Sequence, residues 1–246
     1  VLTAYHNDKK IKTKYLDRVK KHRLADEIVH GRYWESGKGC AVGCTVHGSD
    51  HNAYETELGI PAWVAHLEDY LFEEMENGDA QNWPERLLKA IPVGASNWDE
   101  IEHKYHHWLL VDPEAGVLRY TANAADPELR EQIETSIKTV ADLHERRVSK
   151  DSKDFESARS AAESARSAAE SAARSARSAA WSASWSAAES AAESAARSAA
   201  RSARSAARSA RSAVRSAGSA ARSAAIKRQA DKLIELLESM KVTQLT

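Results

Sequence analysis

Four side chains able to ligate a metal or carry thiol chemistry fall close together: Cys40, Cys44, His47 and His51, within Gly37-Lys-Gly-Cys-Ala-Val-Gly-Cys-Thr-Val-His-Gly-Ser-Asp-His51. All four are zinc-ligand types. Their spacing of four, three and four residues sets them on one helical face. Four ligands on one straight helix cannot surround a tetrahedral ion, so zinc, the one cofactor the stretch could hold, requires the glycines to bend the chain. The close cysteine pair of zinc fingers is also missing, and a buried structural pair of cysteines is the preferred expectation. A second chemistry makes Cys40 a nucleophile at a helix N-terminus, where the dipole lowers a thiol pKa. His106 or His107 would then be the base and Asp112 its orienter. With ten histidines in the chain such a triplet is easily found, and His103, His106 and His107 read first as ordinary helix residues.

Basic residues gather in two places. Lys9, Lys10, Lys12, Lys14, Arg18, Lys20, Lys21 and Arg23 lie near the start, and Arg197, Arg201, Arg204, Arg208, Arg211 and Arg215 form an acid-free stripe near the end. Either can contact phosphates. The stripe lacks interleaved aromatics, however, and residues 1–150 carry 19 Lys+Arg against 26 Asp+Glu. Nucleic acid is therefore a possible partner and not the favoured one. An acidic body joined to a basic tail invites contact between the two, in one molecule or between neighbours.

Helices must position these groups. Lys9 to Val29 carries Ile11, Tyr15, Val19 and Ile28 at helical spacing, with Gly31 able to stop it. Gly59-Ile60-Pro61 opens a second helix that Asn77-Gly78 ends. Asn82 can cap a short third one, with Pro84 in its first turn. Ser96 or Asn97 caps the next, and Asp126-Pro127-Glu128 opens a helix to about Arg147. The runs Trp108–Val111 and Val117–Tyr120 admit a β-hairpin as an alternative. Residues 1–150 thus read as an acidic helical domain with core enough to fold.

Beyond Ser149–Asp154 the composition changes abruptly. All five prolines and nine of ten glycines precede it. From Ser157 to Ser223 a serine recurs every third or fourth residue, a mean of 3.67, close to the turn of an α-helix. The residue before each serine makes a second stripe. It runs from Glu and Arg through Trp181 and Trp185 to the arginines 197–215. Alanine fills most of the rest and favours helix. Residues 151–225 thus read as a very long Ala/Ser-rich helix, either a single rod or folded back into a bundle, and 226–246 as a short amphipathic helix that must dock on something. Trp181 and Trp185 stand where charges are otherwise found, which points to a partner surface. The interaction residues expected are these two tryptophans and the six arginines.

The segments Tyr33-Trp-Glu-Ser-Gly-Lys-Gly-Cys-Ala-Val-Gly-Cys-Thr-Val-His47, Tyr54-Glu-Thr-Glu-Leu-Gly-Ile-Pro61, Trp83-Pro-Glu-Arg86 and Ala230-Asp-Lys-Leu233 resemble a group of uncharacterised bacterial and phage-associated proteins that also end in Ala-rich repeats. The group has no established activity, so the resemblance implies no functional residue.

The expectation is an all-α, cytoplasmic protein without a membrane span, a signal peptide or a disulfide framework. It is read as a structural or interaction protein, a homo-oligomer or a docking platform, rather than an enzyme. A Cys/His metal protein or hydrolase and a nucleic-acid accessory protein are the alternatives.

Overall fold

The computed structural model of the chain describes residues 1–123, 127–149, 151–158, 160, 161, 164 and 220–242. Over these residues the fold is all-α, with one two-stranded ribbon. The greater part of the Ser-Ala repeat, with Trp181, Trp185, Arg197, Arg201, Arg204, Arg208, Arg211 and Arg215, lies outside the described residues. Among the described residues no helix is long and apolar enough to cross a membrane. The chain divides into two compact units. One joins Val1–Leu109 to Ser223–Thr246, and the other is Leu110–Arg222. This differs from the three consecutive segments that composition marks out.

The first unit opens on a strained turn. Tyr5, His6 and Asn7 have φ of 55°, 48° and 58°, a left-handed run that costs non-glycine residues about 1–2 kcal/mol each. Neighbouring backbone holds it in place. Ala4 N donates to Ala95 O at 2.8 Å and Gly94 N to Ala4 O at 3.0 Å, while the buried Tyr5 hydroxyl donates to Leu88 O at 2.6 Å. Helix α1 (Lys9–Leu24) follows, with Asp8 capping it by accepting from Lys10 N at 2.7 Å. It ends earlier than its apolar spacing implies because Asp26 turns into the left-handed region (φ 53°). The ribbon β1 (Trp34–Glu35) and β2 (Lys38–Gly39) is antiparallel. It leads into α2 (Ala41–Val46), buried at every residue. A π-helical turn, Tyr54–Leu58, closes on Gly59 (φ 64°). No side chain is possible there, since a Cβ would lie 2.1 Å from Thr3 O.

Helices α3 (Ala62–Glu74), α4 (Asn77–Ala90) and α5 (Trp98–Val111) complete this part. Asn77-Gly78 begins α4 rather than ending α3, and Asn82 lies inside α4, donating from its side chain to Gly78 O. Pro84 is likewise interior. The hairpin alternative is not formed: Trp108–Val111 finishes α5 and Val117–Asn123 is a 3-10 helix.

The end segment docks. Residues 220–238 are helical, and Ile226, Ala230, Leu233, Leu237 and Met240 join the same buried cluster as Leu71, Trp83, Leu87, Trp98, Ile101 and Tyr105. Arg86 pairs with Asp231 at 2.5 Å, and the Tyr105 hydroxyl donates to Gln229 O at 3.4 Å. In the second unit, α6 (Pro127–Glu145) starts at the expected proline. Leu143, Phe155 and Ala158 form a small core of their own, with His144 set edge-on to Phe155 at 5.0 Å.

Leu237 is fully buried. Leu237→Ala is expected to cost about 2–5 kcal/mol. Urea unfolding followed by tryptophan emission, with Trp83 and Trp98 as reporters in the same core, should show one transition at a lower midpoint. An unchanged midpoint would mean that the helix contributes nothing to that core.

Candidate functional site

Close approach of two backbones explains the glycines of the Gly-Cys segment. A Cβ on Gly39 would lie 2.1 Å from Tyr33 O, and one on Gly43 would lie 1.5 Å from it. The ribbon therefore rests directly on α2. Cys40 caps α2, its Sγ accepting from Gly43 N at 3.4 Å. His47 ends it in the left-handed region (φ 57°), its N–H donating to Gly43 O at 2.8 Å.

The four chemically loaded residues go to different places. Cys44 is buried, its thiol donating to Gly39 O at 3.3 Å, and burial pushes its pKa up to about 12. Cys40 is buried beside Asp69; burial first, then that carboxylate, raises its thiol well above the usual range. Both cysteines are free thiols. His51 turns towards Asp69 (Nε2 to Oδ2 3.4 Å) and stacks on His66 at 4.2 Å. His47 instead meets His22, Nε2 to Nε2 at 2.8 Å, and stacks on Trp34 at 4.5 Å. Burial, Arg18 and His22 lower the His47 pKa. Among the described residues no group of three or more His, Cys, Asp or Glu is arranged to hold a metal ion. His106 and His107 lie on α5, and Asp112 caps the turn after it by accepting from Glu114 N and Ala115 N at 2.9 and 2.8 Å.

A thiol activates when a base or cation favours the thiolate. Here an anion faces Cys40 and holds the proton on sulfur. Asp69 lies between Cys40 and His51, the reverse of the order in which an imidazole takes a thiol proton and a carboxylate orients the imidazole. Burial and Asp69 both disfavour the Cys40 thiolate.

Among the described residues the carboxylic acid raised furthest is Glu68, which spacing arguments overlooked. It is fully buried and its pKa is raised to about 8, by burial and then by Asp69, against the lowering effect of the Tyr54 hydrogen bond. Tyr54 donates its hydroxyl to Glu68 Oε2 at 2.5 Å, and Trp83 Nε1 donates to Glu68 O at 3.1 Å. One signal was available: Glu68 sits four residues after Val64 and three before Leu71, on the buried side of α3, where an acid is out of place. His22 and Trp34 carried no such signal. At neutral pH Glu68 is largely a neutral carboxylic acid. Together with Tyr54 and Trp83 it joins α3, α4 and the π-helical turn.

The chain matches no family model, no curated protein and no solved structure.

Because the pKa of Glu68 rises on folding from 4.5 to about 8, its neutral form adds stability that is complete below pH 4.5 and is lost as pH rises to about 8. Glu68→Gln, which stays neutral, should gain on the wild type by on the order of a few kcal/mol between pH 5 and 8. Denaturant midpoints across that range check this, and parallel profiles would show that Glu68 is ionised in the folded chain. Gly43→Ala should be far more damaging. The added methyl meets main chain, so a loss of several kcal/mol or failure to fold is expected, measured by thermal unfolding.

Proposed function

We propose that this chain is a structural or interaction protein in which a folded body presents the Ser-Ala repeat for association with copies of itself or with a protein partner. The observation that carries this reading is the docking of helix 220–238 into the core built by α3, α4 and α5. The far end of the repeat is thereby tied to the body from which the chain departs after Leu109. The chemistry of the body agrees. Its thiols are kept protonated and its most perturbed acid is fully buried, which suits packing rather than turnover.

The sequence of the repeat supplies the contact surface. Small alanine and serine side chains permit close lateral approach. Trp181 and Trp185 provide apolar area, and Arg197 to Arg215 provide charge opposite to the acidic stretch Asp50–Glu145, with 21 acids and 6 bases. Charged surfaces of this kind steer association and weaken with salt. Zinc at Cys40, Cys44, His47 and His51 and phosphate binding by the basic stripes are less favoured alternatives.

Sedimentation velocity tests the reading. The wild-type chain of 27.1 kDa should show a concentration-dependent mass above the monomer at low salt, falling as salt rises. Trp181→Ala with Trp185→Ala should weaken self-association by tenfold or more. A monomer at every concentration, with no protein retained from its own host extract, would overturn it.

A further inference from the structure

The pairing of His22 with His47 places two imidazoles in an arrangement that their 25-residue separation did not announce. Their Nε2 atoms face each other at 2.8 Å. Between two neutral imidazoles one nitrogen donates and the other accepts, so a single proton lies between the rings. Glu27 decides where it belongs. Its Oε2 lies 2.7 Å from His22 Nδ1, which keeps a proton on that nitrogen and leaves His22 Nε2 as a lone pair. His47 then donates from Nε2. A carboxylate holding one imidazole nitrogen so that the other presents a lone pair is how metal-binding histidines are oriented.

The rings are also held from outside. Trp34 lies flat on His47, 4.5 Å away and inclined by 12°, and meets His22 edge-on at 5.4 Å. His47 occupies its place at φ 57°, strain of the kind that collects at functional positions. His47 is exposed, so an ion in solution can reach the pair.

The donor type points to a class of ion. Imidazole nitrogen suits copper, nickel and zinc, and Cu(II) binds a given nitrogen site most tightly of the divalent first-row ions. The 2.8 Å between the rings is the length of their hydrogen bond and sets their proximity, not a coordination angle. The geometry points to a two-imidazole site, His22 and His47, for a divalent transition-metal ion with water in its remaining positions. The ion takes the place of the shared proton. His47 loses its Nε2 proton and takes one from solvent at Nδ1, so both rings stay neutral and no net proton is released. The rings, 5.0 Å apart and inclined at 85°, pivot to bring both lone pairs onto the ion. Glu27 is a positioning residue. The site shares only His47 with the Cys40, Cys44, His47, His51 set, and it is independent of the proposed role of the repeat.

Titration of the full chain with Cu(II) alone, and separately with Ni(II) alone, tests it. The readouts are the visible ligand-field band and, for copper, nitrogen hyperfine structure in the paramagnetic resonance spectrum. One ion per chain with two imidazole nitrogens is expected. His22→Gln and His47→Asn should each weaken binding at least tenfold while circular dichroism stays unchanged; asparagine tolerates the left-handed backbone at 47. Glu27→Gln should weaken it by about tenfold. Cys40→Ser and His51→Ala should leave it unaltered. Absence of stoichiometric binding would overturn the site and leave a proton-sharing pair. So would binding that survives both His22→Gln and His47→Asn, or that is lost only with His51→Ala.

Discussion

The apolar stripe of helix 220–238 has to be buried, and the only core among the described residues that contains it is the one built by the first 109 residues. The rest of the organisation depends on this constraint. A core closed by a distant segment must hold against the entropy of the chain in between. For a flexible connection that cost grows only with the logarithm of its length. Burial of Ile226, Leu233, Leu237 and Met240 contributes about 1.5–3 kcal/mol each. The apolar term is the larger of the two.

The polar interior of the body follows different rules from its surface. Glu68, Tyr54 and Trp83 make a buried network that joins two helices and a turn. Such groups are tolerated when the acid keeps its proton and its partners are in place. Asp69, partly exposed beside it, contacts His51 and holds the Cys40 proton on sulfur. Cys40, Cys44 and Glu68 thus lie in the packed interior.

Much of the fold was legible because it rests on local chemistry. The Ser96-Asn97 pair and Pro127 mark the starts of α5 and α6, and the stripe Ile226 to Met240 announced a helix that needed a partner. Other features depend on contacts between distant segments. The end of α1 is set by a left-handed Asp26, which no periodicity encodes. Helix α4 begins before Asn82 and accommodates Pro84 in its interior, where propensity alone would have ended or kinked a helix. The turn Tyr5–Asn7 is left-handed at three successive non-glycine residues, and its backbone partners Gly94 and Ala95 lie some ninety positions away. At the site, the close-set Cys and His residues were visible. Their true neighbours Asp69, His22 and Trp34 were not, because the tertiary fold brings them there.

The glycines of the Gly-Cys segment connect these levels. Gly39 and Gly43 allow the Tyr33 carbonyl to rest on α2 at a distance no side chain permits. That contact fixes the ribbon, and the ribbon carries Trp34 as the residue after Tyr33. Trp34 lies flat on His47 where α2, a helix of six residues, ends at the left-handed His47, whose N–H donates to Gly43 O. Arg18 ties the same end to α1 by donating to Thr45 O at 2.7 Å, and α1 carries His22. Four short-range facts, two absent side chains, one stacked ring and one backbone cap, therefore set the separation of two imidazoles from different helices. The glycines that sequence inspection treated as hinges within a ligand cluster act instead as contact surfaces, and the order they impose extends through Trp34 to the His22–His47 pair.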